Sequence, residues 1–332
     1  MSHPLPIEIR GMGVYVPEEV VRNSHFAAYL DTSDDWIVPR TGIRERRKAA
    51  PNECTSTMAA EASRKALADA GMTIDDIDLI VCATATGDCP FPATATFIQA
   101  ALGGHKREIP AFDVGGACAG FLYGLATAGA MITAGLFRRA LVIGAETLTR
   151  YADPEDRRTI VLFGDAAGAT VIQRCNDPDR GVLYCELGCD GTHTDLIIVP
   201  AGGSRRFTSE STMAERLQFM RMKGREVYKF AVTKMVELIE RALDKLKLTP
   251  EDIKLVVPHQ SNLRIIESVQ EKIGFPREKV AVNIERFGNT SAASIPMALE
   301  EHRRNGTVKE GDLVLLIAMG AGFAWGTIVI RL

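Results

Sequence analysis

The apolar residues of the chain fall into short continuous runs separated by longer amphipathic stretches. Leu79-Ile-Val81, Ala140-Leu-Val-Ile143, Leu255-Val-Val257 and Leu313-Val-Leu-Leu-Ile317 are such runs. A strand that is apolar at every position is buried on both faces, so the pattern predicts sheets covered by helices on each side. The alternation of the two kinds of segment predicts an α/β fold.

The alternation is itself repeated. Ala66-Leu-Ala-Asp-Ala-Gly-Met-Thr-Ile-Asp-Asp-Ile-Asp-Leu-Ile-Val81 aligns with Ala242-Leu-Asp-Lys-Leu-Lys-Leu-Thr-Pro-Glu-Asp-Ile-Lys-Leu-Val-Val257. Each is a helix end, a turn and an apolar strand. Phe97 to Gly103 then resembles Ser268 to Gly274, and Ala111-Phe-Asp-Val114 resembles Ala281-Val-Asn-Ile284. A further helix, a glycine (Gly135, Gly306) and an apolar strand complete each half.

Each half is therefore predicted as strand, helix, strand, helix, strand, with halves at 1–174 and 181–332. Duplicated halves would stack sheet against sheet with shared helices between; two independent doubly wound domains are the alternative. The short join from Arg174 to Gly181 argues against independence. So does the stretch from Val114 to Phe137, which carries no charged side chain. A helix uncharged all round is buried in a large protein or spans a bilayer. Its Ala, Gly and Thr content, and the strand before it, favour a central buried helix.

Composition narrows the class. The 332 residues, 46% of them hydrophobic, suffice for a large core. A net charge of −3 gives no electrostatic support for nucleic-acid binding. Met1-Ser-His-Pro-Leu-Pro6 has neither the basic region nor the apolar run of a signal peptide. Seven cysteines at irregular spacing suggest no disulfide framework, so a reducing, cytoplasmic setting is expected. Cys185, Cys189, His193 and Asp195 fit no zinc spacing, and no metal site is expected.

Three polar residues stand where chemistry could be placed. Cys118 lies in Asp113-Val-Gly-Gly-Ala-Cys-Ala-Gly-Phe121, where a strand ends, a glycine pair turns the chain and a small-residue helix begins. A thiol at a helix N-terminus has its pKa lowered by the helix dipole and is poised as a nucleophile. A buried structural cysteine fits the same segment. His259, in Val256-Val-Pro-His-Gln-Ser-Asn262, follows the repeat strand of the second half, and reactive groups gather past the carboxyl ends of strands. It could equally be a satisfied structural histidine. Asn289, in Phe287-Gly-Asn-Thr-Ser-Ala-Ala-Ser294, lies in the segment that matches the Cys118 segment in the repeat. A helix N-cap is the bland use of such an asparagine. The pseudo-twofold relation would bring Cys118 and Asn289 to one central point. Met319-Gly-Ala-Gly-Phe323 has backbone N–H groups that could form an oxyanion hole, or it is simply a tight strand connection. Gly11-Met-Gly13 lacks the third glycine of a dinucleotide fingerprint.

On these residues the chain resembles the β-ketoacyl-acyl-carrier-protein synthase III family of thiolase-like condensing enzymes. The resemblance covers nearly the whole chain. It runs through Leu30-Asp-Thr-Ser-Asp-Asp-Trp-Ile37, Arg40-Thr-Gly-Ile-Arg-Glu-Arg-Arg47 and the Cys118 segment to Asp153-Pro-Glu-Asp-Arg157 and Phe163-Gly-Asp165. It continues through Pro258-His-Gln-Ser-Asn262 and the Asn289 segment to Gly322-Phe-Ala-Trp-Gly326.

The resemblance implies a five-layered αβαβα thiolase-like fold and a two-step reaction. Cys118 would take an acyl group from acyl-CoA, a substrate, with no resident cofactor implied. Malonyl-acyl carrier protein would then lose CO2, and its enolate would attack the acyl-enzyme. His259 and Asn289 would stabilise the enolate, and the N–H groups of Cys118 and Ala321 would hold the tetrahedral oxyanions. Trp36 and Arg157 match the residues that flank the adenine of CoA, and Arg40 is a candidate for its phosphates. Arg264 matches a carrier-protein docking position, with Lys229 as a second. Phe91 matches a bulky residue that crosses a homodimer interface and shortens the acyl pocket, which favours a short primer such as acetyl-CoA.

The chain departs from the family pattern at Ala321, where three glycines in a row are common, at Arg225, where some relatives carry Asn, and at Ser261, where Ala is common. None removes a catalytic group. A sister condensing enzyme of secondary metabolism would share the Cys-His-Asn set. A Cys-His thioester hydrolase would want a carboxylate behind the histidine, where Asn289 stands instead.

Overall fold

The computed structural model describes residues 4–332. Met1, Ser2 and His3, the start of the segment read above as unlike a signal peptide, lie outside the described residues. The first half contains β1 (Ile7–Tyr15), α1 (Asp34–Thr41), α2 (Thr55–Asp69), β2 (Leu79–Ala83), α3 (Thr94–Leu102), β3 (Ala111–Val114), α4 (Gly120–Thr133), β4 (Arg139–Thr147) and β5 (Asp165–Arg174). The second contains β6 (Gly181–Cys189), α5 (Gly224–Leu246), β7 (Leu255–Pro258), α6 (Leu263–Ile273), α7 (Ser294–Arg304), β8 (Leu313–Gly320) and β9 (Ala324–Arg331).

The first sheet runs β1-β5-β4-β2-β3 and the second β7-β8-β9-β6. β2 pairs in parallel with β3 and β4, and β7 with β8, while the remaining neighbours are antiparallel. Three apolar clusters define the layers. Met58, Ala62 and Leu67 of α2 and Ile98 of α3 cover one face of the first sheet. Met235, Leu238 and Ile239 of α5 and Ile266 of α6 cover one face of the second. The central cluster joins inner-face residues of both sheets, such as Val81, Val142, Val257 and Leu316, to Phe121, Leu122 and Leu125 of α4 and Leu299 of α7. The result is the five-layered αβαβα arrangement, with the uncharged segment as a helix in its middle. Among the described residues no helix is long and apolar enough to cross a membrane.

Two local expectations fail. The strand expected at 281–284 is reduced to one bridge, Val256 to Val280, plus Ala281 N–H on Val256 O at 2.9 Å. The Gln260 side chain takes over where the ladder would continue. Its Nε2 donates to Pro258 O (2.9 Å) and Ala281 O (3.1 Å), and its Oε1 accepts from Asn283 N–H (3.0 Å). A buried backbone group needs a partner, and a side-chain amide satisfies it as well as a strand does. The helix also does not begin at Cys118. A 3-10 turn spans Ala117–Ala119, and α4 starts at Gly120.

The same elbow occurs in the second half, where a 3-10 turn at Ser291–Ala293 precedes α7. Both turns begin at a non-glycine residue of positive φ, Ala117 at 46° and Ser291 at 47°. Such a conformation costs about 1–2 kcal/mol for an L-residue, so the surrounding packing holds it in place. Each elbow presses on a strand of the opposite sheet. A Cβ on Gly320 of β8 would sit 2.7 Å from Cys118 N, and one on Gly144 of β4 would sit 2.2 Å from Ala292 O.

That contact gives a stability prediction. In Gly144→Ala the new methyl meets a backbone carbonyl that cannot step aside, so unfolding stability should fall by about 3 kcal/mol. Gly203→Ala, where a Cβ meets nothing within 4 Å, should stay within about 0.5 kcal/mol of wild type. Thermal melting of the two variants beside wild type measures the difference.

Candidate active site

The two elbows face one cavity of about 710 Å³ between the halves. Cys118, His259, Asn289 and Ala321 all line it, as do Ser291 and the Ala85–Thr86 segment that follows β2. Its remaining walls are mostly apolar, with Leu148, Leu162, Met220, Met235 and Phe323 among them.

His259 follows β7 and is almost fully buried. Its Nδ1 lies 2.7 Å from Ser294 Oγ, the first residue of α7. Ser294 Oγ already accepts from Gln260 N–H at 3.4 Å, so its own proton is free to go to Nδ1. That places the ring proton on Nε2, which has no partner among the described residues and faces the cavity as a donor. Burial lowers the His259 pKa to about 3, so the ring is neutral at physiological pH.

Asn289 is fixed from both sides. Its N–H donates to Leu162 O at 2.8 Å, and its carbonyl accepts from Gly164 N–H at 3.0 Å. Its side-chain Oδ1 accepts from Ser291 N–H at 2.9 Å, which leaves the amide NH2 as the group to offer a ligand. This is not the N-cap role: α7 begins five residues later, at Ser294. Ala321 follows β8 in the turn into β9, and its backbone shares the cavity wall with Cys118.

Cys118 behaves differently from the sequence expectation. Burial pushes its thiol up to about 12, and the charge of Glu146 adds to that, while a hydrogen bond with Ser291 acts the other way. The residue is half-buried and lines the cavity. Even so, the apolar walls penalise a thiolate more than the short turn before α4 can stabilise it.

Family models for 3-oxoacyl-[acyl-carrier-protein] synthase III match residues 112–191, and for the C-terminal part of the same synthase residues 243–332. The chain is 49% identical over 326 residues to a β-ketoacyl-[acyl-carrier-protein] synthase III of Symbiobacterium thermophilum, covering 98% of each. The chain belongs to the β-ketoacyl-acyl-carrier-protein synthase III family. Its fold superposes on the synthase III of Aquifex aeolicus with a TM-score of 0.89, at 43% identity and covering 98% of this chain and 100% of that one. A priming β-ketosynthase from the R1128 polyketide pathway gives a TM-score of 0.88 at 32% identity, covering 100% and 98%.

The residues matched to the family's ligand contacts fall into two groups. Trp36, Arg40 and Arg264 line the cavity mouth, together with Arg225. Arg40 and Arg157 each hold the guanidinium carbon 4.9 Å from the Trp36 ring centroid. Arg157 also pairs with the exposed Asp31 at 2.8 Å. Arg264 sits over Tyr228 at 5.8 Å, and Lys229 is exposed next to that tyrosine. Phe91 is not among the cavity residues of its own chain and is 84% exposed. His193 pairs with Asp190 and Asp195 with Lys223, and no cluster suited to a metal ion occurs among the described residues.

Sequence reasoning missed Ser294, which holds the His259 ring, Ser291 and Glu146, which join the Asn289 elbow to the segment after β2, and Arg158 at the cavity wall. Ser294 ends the quoted Asn289 segment, so the pattern contained it. Its partner His259 lies 35 residues earlier in the chain, and spacing could not supply the pairing.

A high thiol pKa makes a kinetic prediction. Alkylation of Cys118 by iodoacetamide should accelerate about tenfold per pH unit and still be rising above pH 9, because the thiolate fraction grows until pH reaches the pKa. Mass mapping of the labelled peptide tests this. A plateau at or below pH 7 would show a dipole-lowered thiol instead.

Proposed function

We propose that the protein joins the acyl group of an acyl-CoA to a malonyl thioester on acyl carrier protein, as the first condensation of fatty acid synthesis. The observation that carries the reading is a neutral donor pair, His259 Nε2 and the Asn289 amide, lining the same cavity as a cysteine sulfur. In the first step the Cys118 sulfur attacks the thioester carbonyl. The C–S bond to CoA breaks, and CoA leaves with the thiol proton. Cys118 N–H and Ala321 N–H receive the oxyanion. In the second step the malonyl C–C bond to the carboxylate breaks and CO2 leaves. The electrons pass to the thioester oxygen, where His259 and Asn289 donate hydrogen bonds. The enolate carbon then attacks the acyl-enzyme and expels the Cys118 sulfur as a thiolate, which regains its proton from solvent. Donors without charge suit this chemistry, since a carboxylate base beside a developing oxyanion would oppose it.

The acyl-CoA would enter past Trp36 and Arg157, with Arg40 toward its phosphates, and no resident cofactor or metal takes part. The Arg157 guanidinium lies over the Trp36 ring and pairs with Asp31, so a base inserted between ring and guanidinium would draw Arg157 away from Asp31. Arg264 and Lys229 form the cationic rim for the acidic carrier. We further propose a cytoplasmic homodimer. β3 is an edge strand of the first sheet, and Phe91 protrudes from the nearby loop. An unpaired edge beside an exposed aromatic favours pairing with a second copy, in which Phe91 would enter the partner's acyl pocket and select a short primer.

Intact-protein mass after mixing with a panel of acyl-CoAs tests the first step. Wild type should gain one acyl group and Cys118→Ala none, and addition of malonyl-carrier protein should clear the adduct with release of CO2. An adduct cleared by water alone would mean a hydrolase. His259→Ala and Asn289→Ala should each still acylate, yet release CO2 about 100- to 1000-fold more slowly, the cost of losing one oxyanion donor.

A further inference from the structure

Glu146 lies one residue from the end of β4 with its side chain fully buried. Its partners are hydroxyls and one peptide N–H rather than a cation. Oε2 accepts from Thr86 Oγ1 at 2.6 Å and Thr84 Oγ1 at 3.3 Å, and Ala85 N–H reaches both oxygens at 3.1 and 3.2 Å. Oε1 accepts from Ser291 Oγ at 3.0 Å. The first three partners belong to the first half, and the last belongs to the second-half elbow.

The strand register shows what is unusual about this position. Leu79 pairs with Ala140, and the matching Leu255 pairs with Val314. Counting on equally, Glu146 is the counterpart of Gly320. At Gly320 a glycine lets the Cys118 elbow close onto the strand. At Glu146 a long carboxylate instead reaches up to the other elbow and grips it.

What it grips is the residue that orients Asn289. Ser291 uses its N–H to hold Asn289 Oδ1, and it does so from a positive φ that needs an external restraint. Ala85 and Thr86, on the far side of the carboxylate, line the cavity as Ser291 does. A carboxylate suits the place because both its oxygens only accept, and a peptide N–H and three hydroxyls converge on them. A buried acid without a cation is costly, and burial raises its pKa to about 7. Only a dense set of donors makes the position tolerable.

We propose that Glu146 is a positioning residue for the decarboxylation step: through Ser291 it locks the Asn289 amide with its NH2 toward the malonyl thioester oxygen, and through Ala85 and Thr86 it sets the opposing cavity wall. The role rests on the condensing function proposed above. It predicts that the two half-reactions separate. Acyl transfer to Cys118 does not use the Asn289 amide, whereas CO2 release does.

The test measures acyl-enzyme formation by intact mass and CO2 release from malonyl-carrier protein, in wild type, Glu146→Gln, Ser291→Ala and the double variant. Thermal melting confirms that each is folded. In both single variants CO2 release should slow by about ten- to a hundredfold, with the KM for acyl-CoA within about twofold of wild type. The double variant should be no slower than the worse single, because both changes cut one link. Equal loss in both half-reactions of Glu146→Gln, where the charge that raises the Cys118 thiol pKa is removed, or undiminished CO2 release in either folded variant, would overturn the proposal. If Glu146→Gln does not fold, Ser291→Ala decides the matter on CO2 release from enzyme already acylated, since the Ser291 hydroxyl holds both Glu146 and Cys118. Wild-type protein that forms no adduct, or releases no CO2, would overturn the condensing reading itself, an outcome visible before any variant is made.

Discussion

Everything about the site follows from placing polar groups between two sheets, where water cannot serve them. The cavity walls come from the same apolar runs and helices that build the layers, so a charge there has little solvation. The histidine therefore stays neutral and the thiol stays protonated. Each buried polar atom must find a partner within the protein or wait for one from a ligand. The His259 Nε2 atom is one that waits. Between apolar walls such a donor is worth more to a developing oxyanion than it would be in water.

The same constraint divides what could be read from the sequence from what could not. The layers were legible because burial on both faces writes itself as continuous apolar runs, and duplication writes them twice. The meeting of the Cys118 and Asn289 segments was legible because the repeat aligns them. The missing strand at 281–284 was not, because its replacement is one side chain, Gln260, whose amide mimics a ladder that apolar residues would also have suited. The thiol pKa was misread for a related reason. A helix dipole can be inferred from local sequence, whereas desolvation depends on walls from Leu148, Met220 and Met235, remote along the chain. Serines and threonines in loops carry even less signal. Ser294, Ser291 and Thr86 become informative only when their partners are known.

The outer end of the cavity obeys different physics. Trp36, Arg40, Arg225 and Arg264 meet solvent, where a single ion pair contributes little and a cluster of cations mainly steers anionic partners. A protein with net charge −3 thus concentrates positive charge at one opening. The two ends of the cavity are thus built on different terms, charge at the mouth and neutral donors inside.

The reciprocal pressing of each elbow on the opposite strand also bears on inheritance. Gly144 belongs to one half and shapes the Asn289 elbow; Gly320 belongs to the other and shapes the Cys118 elbow. Neither half carries a complete set of instructions for its own turn. A chimera assembled from the N-terminal half of one relative and the C-terminal half of another therefore closes both elbows only if each parent brings its own glycine to the seam.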